Sequence, residues 1–211
     1  STDMGLVGEI LFGDIEYYTS MIRGLRPQHF DADQLTGHIA NFTALSSGMV
    51  KTIDMRRDGK WGQRLLKDRT DVAEVMDSYM ARAEKEVAAA LPTIKSGSYA
   101  GGPRVPDVAH APDAEKSDRA LAYVRLITGC RLIAPAASFG ASNKDAEDAV
   151  ALHLKSYVED LLKELRAAEG DRRAHAEQFF HLAVAMTALL YGQNEAELLR
   201  RRGRAAMPIA A

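Results

Sequence analysis

The chain has 211 residues, of which 46% are hydrophobic and 27% charged. A chain of that size and composition buries a real core and is not a disordered tail. Lys and Arg number 27 against 29 Asp and Glu, so the net charge is -2 and no global field draws the chain onto nucleic acid or an acidic membrane.

Alanine is abundant and β-branched residues never alternate, so helix is favoured over strand throughout. The first predicted helix carries Val7, Leu11, Ile15, Tyr18, Ile22 and Leu25 on one stripe, and Gly24 and Pro27 end it. The second starts near Asp31 or Asp33, either of which can accept a bond from the first free N–H groups. Its stripe is Leu35, Ile39, Phe42, Met49 and Ile53. The third begins between Gly62 and Leu65, runs through Val72, Met76, Tyr79, Ala83 and Val87 to Leu91, and stops at Pro92.

Periodicity then vanishes over residues 93–116, where Gly, Ser and Pro cluster. A fourth helix is expected from Ser117 to Ala134, closed by Pro135. A fifth starts near Asn143, carries Val150, Leu154, Tyr157, Leu161 and Leu165, and ends at Gly170. A sixth runs from Asp171 to Arg202 as one helix, and no strand is expected. The fold class is therefore all-α: a compact bundle of about six helices forming a single domain over 1–211. Two similar three-helix halves, 4–92 and 117–204, would flank the Gly/Pro-rich loop 93–116. The resemblance of the halves is faint, and amphipathic helices alone produce it.

The first residues lack a signal-peptide layout, and the apolar run Leu182 to Tyr191 is about half of what a bilayer needs. A cytoplasmic protein with no membrane insertion is expected. Cys130 is the only cysteine, which excludes an intramolecular disulfide and zinc sites built on several thiols.

Chemistry-bearing patterns are sparse. Glu177 and His181 share a helix face, but a metal site needs three or four ligands and these are two. The order His153-Leu154-Lys155 faintly suggests phosphotransfer, yet His153 lies beside the stripe of Val150 and Tyr157 and reads better as a helix-edge histidine. Cys130 reads as a small core hydrophobe. Phosphate-binding glycine loops and nucleophile elbows are missing from the sequence. No cofactor or metal is expected, and the chain leans away from catalysis.

Two basic features remain. Around Trp61, the only tryptophan, stand Arg56, Arg57, Lys60 and Arg64. Trp61 reads either as a plug on the core, the favoured reading, or as an exposed anchor of the kind enriched at interfaces. Arg200, Arg201, Arg202 and Arg204 crowd a helix C-terminus, where cations are favoured on electrostatic grounds alone.

These residues point first to a non-enzymatic regulatory or adaptor protein acting through protein–protein contacts, with another protein or a second copy as partner. Trp61, Arg56, Arg57, Arg64, Tyr17 and Tyr18 are its interaction candidates. The alternative is a helical bundle that binds or transforms a small molecule in an inter-helix pocket touched by His38, His153 and His181. A nucleic-acid binder using the arginine clusters is the weakest reading.

Overall fold

A computed structural model describes residues 2–52, 59–97 and 102–207, with the side chains of 2–5 and of residue 52 left aside. The fold is all-α. Seven helices stand among the described residues: α1 (Thr2–Gly24), α2 (Ala32–Thr52), α3 (Lys60–Ala90), α4 (Ala114–Gly129), α5 (Gly140–Ala167), α6 (Gly170–Tyr191) and α7 (Gln193–Ala206). None of them is long and apolar enough to cross a membrane. Two compact units form, Ser1–Ala81 with Gly129–Asp145, and Arg82–Thr128 with Ala146–Ala211.

The first unit is built on the stripes read from the sequence. Leu35, Ile39, Phe42 and Met49 of α2 are buried, as are Leu65, Val72, Met76 and Tyr79 of α3. Of the two aspartates expected to cap α2, Asp31 does so: its Oδ1 accepts the Gln34 N–H at 2.8 Å. On α1 the buried face is rotated from the expected one. Phe12, Ile15, Thr19 and Ile22 are buried, while Val7 is exposed. Ile53, Arg56 and Arg57 lie outside the described residues.

The second unit holds Ala83, Val87 and Leu91 from the end of α3, Tyr123, Val124 and Ile127 from α4, and Leu154, Leu161 and Leu165 from α5. Phe179, Ala183, Met186 and Leu190 of α6 complete its core.

Three expectations need correction. The sixth helix is two helices, because Gly192 adopts φ +92, a left-handed backbone that ends α6 before α7 restarts at Gln193. The fourth helix stops at Gly129, not Ala134. Pro135 has no N–H, and the chain before it closes into turns, with Ala134 N–H bonded to Cys130 O at 2.8 Å. The stretch 93–116 also contains strands: β1 (Thr93–Lys95) pairs antiparallel with β2 (Arg104–Pro106), Ile94 opposite Val105. Three residues per strand are too few to print an alternating pattern. Beyond β2, Val108 is fully buried and its carbonyl stands 3.1 Å from Nδ1 of His175 on α6.

Candidate binding groove

Within the second unit, α5, α6 and α7 enclose an open groove of about 790 Å³. One face of α5 forms its first wall: Ala151, Leu154, Lys155, Val158 and Glu159, spaced three and four apart so that they line up on one side. Thr187 and Tyr191 come from the last turns of α6, and Glu195, Leu198, Leu199, Arg201 and Arg202 from α7. The left-handed turn at Gly192 lets α7 fold away from the line of α6. Gly203 then lets α7 lie close, because a Cβ there would run into the Phe180 ring of α6.

The floor is apolar. Leu154, Val158 and Leu199 are buried. The Thr187 hydroxyl, also buried, donates to Ala183 O at 2.8 Å, so it adds no unsatisfied polar atom. The walls are half open: Tyr191 is 54% and Leu198 50% exposed. Charges of both signs sit at the rim. Arg202 donates to Glu159 at 2.7 Å, joining α7 to α5. Lys155 and Glu195 make no hydrogen bond or ion pair among the described residues. The lining contains no histidine, cysteine or serine, and among the described residues no group of three His, Cys, Asp or Glu is placed to hold a metal ion. What the groove can do is remove an apolar surface from water and pair charges around it.

The residues singled out from sequence fall into separate clusters. Trp61 stands in the first turn of α3, half-buried, in a T-shaped contact with Phe12 at 5.0 Å and with the six-membered ring of its indole against Gly8. Arg64, one turn on, lies 4.8 Å over the same Phe12 ring and bonds Glu16 at 2.7 Å. Glu16 is the main reason its guanidinium is held in the charged form. Trp61 and Arg64 thus meet on Phe12.

Tyr17, Tyr18 and His38 form a second cluster on α1 and α2. Tyr17 meets Tyr18 edge-on at 5.2 Å, and Tyr18 lies 5.8 Å from the His38 ring. Nε2 of His38 is buried with no hydrogen-bond partner.

His153 stacks on Tyr157 in the second unit, 6.3 Å apart, with a buried and unpartnered Nε2. The residue as a whole is half-buried, as a helix-edge histidine is. His181, also in the second unit, is exposed. None of the three histidines lines the α5–α7 groove. Cys130 is fully buried, and burial pushes its thiol up to about 12, against a smaller opposing effect of a bond with Thr36.

Sequence reasoning passed over Val158, Glu159 and Leu199, and it weighed Lys155 and Arg202 only in other settings, beside His153 and within the arginine cluster. The available signal was a second apolar edge on α5, Ala151-Leu154-Val158, beside the main stripe through Val150, Tyr157 and Leu161. No protein-family model, curated protein or solved structure matches the chain.

Proposed function

We propose that this is a non-enzymatic regulatory or adaptor protein that captures an amphipathic helix of a partner protein in the α5–α7 groove. The observation that carries the reading is the groove's section: an apolar floor of Leu154, Val158 and Leu199 under half-exposed Tyr191 and Leu198. Helix-in-groove recognition lays anchors at positions i, i+3, i+4 and i+7 along such a floor. Lys155 and Glu195 at the rim supply one free charge of each sign to fix orientation. A cytoplasmic setting belongs to the same proposal and rests on the single buried thiol.

The alternative, a small apolar ligand, is favoured by the volume alone, which lies within the roughly 300–1,000 Å³ of small-molecule sites. Nucleic acid is disfavoured by pairing. Glu197 sits 3.4 Å from Arg200, 3.6 Å from Arg201 and 3.1 Å from Arg204, and Glu159 engages Arg202. Two carboxylates thus serve these four cations and partly neutralise them.

The test uses a labelled idealised helix with Leu on one face and Lys and Glu on its flanks, in competition with a long-chain fatty acid. The peptide should bind the whole protein, and Leu198→Arg, a change at a half-exposed position, should weaken it at least tenfold without altering the circular dichroism. Saturable fatty-acid binding with no peptide binding would transfer the groove to the small-ligand reading. Equal peptide binding by Leu198→Arg would remove the groove from the function.

A further inference from the structure

We propose that the outer face of α1 is the surface through which two copies of this chain pair, antiparallel, about a two-fold axis between Ile10 and Gly13. The surface lies on the first unit and does not depend on the groove reading.

The argument begins with a helix that is apolar on two opposite sides. Phe12, Ile15 and Ile22 point into the core. Leu6, Ile10, Gly13 and Tyr17, spaced four, three and four apart, align on the far side at 100° per residue. Leu6 is 64%, Ile10 59% and Tyr17 55% exposed. A helix that is hydrophobic on both faces is normally covered on both. With the neighbouring exposed Val7, these side chains leave an apolar patch on the order of 400 Å², within the range that marks interaction surfaces on single chains. That is about half of the roughly 800 Å² per partner in a standard interface. The flanking polar residues of α1 and the adjoining surface of α2 (Ala44, Leu45) supply the remainder.

The pattern also identifies the partner. The stripe reads the same way from either end. Turned about a point between Ile10 and Gly13, Leu6 falls on Tyr17 of the partner subunit, and Ile10 falls on Gly13 of the partner subunit. These are complementary shapes. A Cβ built on Gly13 meets nothing within 4 Å, so the bare backbone is open to receive a branched side chain. Tyr17 borders a groove of about 550 Å³ lined also by Tyr18, Asp14, Asn41, Ala44 and Leu45, whose apolar side at Ala44 and Leu45 can receive the partner subunit's Leu6 while Asp14 and Asn41 stay at its polar side. Such self-complementarity is what an isologous contact requires.

Two-fold symmetry sets each flank of the stripe against itself, so a flank of uncompensated like charge would oppose pairing. The flank of Glu9 and Glu16 carries its own cation: Arg64 lies 3.5 Å from Glu9 and 2.6 Å from Glu16. The opposite flank carries Asp14 and the apolar Val7. The same acidic residues set this face against an anionic lipid surface, which attracts basic segments.

The full chain should sediment as a dimer at micromolar concentration, and added salt should strengthen the dimer by screening the carboxylates. A Cβ at Gly13 meets nothing within 4 Å, and Gly13→Arg removes a helix-weakening glycine, so it should keep full helicity while becoming a monomer. Ile10→Glu should do the same. Mixing Ile10→Cys with Gly13→Cys chains should give a disulfide-linked heterodimer in preference to either homodimer, since Cys130 is buried and silent. A wild-type chain that stays monomeric, or a Gly13→Arg chain that stays dimeric, overturns the proposal. A preferred Ile10→Cys homodimer overturns the antiparallel axis.

Discussion

Trp61 separates two roles that a sequence leaves side by side. Its indole lies so close to Gly8 that a Cβ there would collide with the ring, and it makes a T-shaped contact with Phe12. Those contacts make it a lid on the α1–α3 contact of the first unit, even though part of the ring remains in water. Fully buried Trp→Ala changes cost roughly 3–5 kcal/mol, so a half-buried one should cost about 2 kcal/mol in urea unfolding. Gly8→Ala should also destabilise, because the ring must move to admit a methyl group. Emission from this lone tryptophan should be blue of free indole and partly shielded from iodide. A Trp61→Ala chain as stable as wild type, with solvent-like emission in the parent, would return Trp61 to the role of an exposed anchor. The sequence could name the residue because Trp is rare. It could not supply Gly8, fifty-three positions away, since a glycine in an exposed-looking helix carries no mark of what lies above it.

At the scale of elements, glycines act in opposite directions according to backbone and neighbours. Gly192 holds φ +92, and any other residue there is strained. Gly192→Ala should cost on the order of 1–3 kcal/mol and disturb the angle at which α7 closes the groove. Gly37, in the exposed middle of α2, behaves conversely, because a Cβ there would meet nothing within 4 Å. Gly37→Ala should add about 0.5–1 kcal/mol, read as a higher thermal midpoint. Equal effects of the two changes would mean that the α6–α7 break is not fixed by that backbone.

The same contrast shows how far the sequence was legible. Buried stripes on α2 and α3 were, because a period of 3.6 over twenty or more residues outweighs noise. The end of α3 just before Pro92 was also visible from local chemistry, whereas α5 stops at Ala167 and Gly170, expected to end it, opens α6. The break at Gly192 was not, since a lone glycine inside a helical pattern is usually tolerated. The rotated face of α1 was hidden because that helix is apolar over much of its circumference, so periodicity alone fixes its inward face only to within a residue or so on either side of Ile15 and Ile22. For the same reason the groove was read only in part: Leu154 was named on the stripe of α5, while Val158 and Leu199 were lost among other apolar positions.

For the molecule as a whole, alkaline pH is the condition that tests its burial. Two acids sit neutral in its cores. Burial pushes the Cys130 thiol from an ordinary 9.0 up to about 12. Burial, and after it the negative charge of Asp107, raises the Tyr157 phenol above its ordinary 10.0. Each group keeps its proton in the folded chain at pH values where the unfolded chain has released it. The native state then binds more protons than the unfolded state, so stability falls as pH rises. The contribution is complete below pH 9 and declines above it, by about 1.4 kcal/mol per pH unit for each group once its unfolded form is ionised. For Cys130 the decline should run from pH 9.0 to about 12; for Tyr157 it should begin near 10.0. Two substitutions separate these contributions. Cys130→Ala should flatten the part of the slope that begins at pH 9, at the cost of a small cavity at neutral pH. Tyr157→Phe should flatten the part above pH 10. It should also leave stability at pH 7 unchanged or slightly raised, because the phenol oxygen it removes is buried without a hydrogen-bond partner. Urea unfolding of the three chains between pH 7 and 11 provides the measurement. A wild-type curve that stays level to pH 11 would mean that water reaches both groups in the native state. A Tyr157→Phe chain clearly weaker at pH 7 would mean that the hydroxyl has a partner, and that the buried surface around α5 is wetter than its side chains imply.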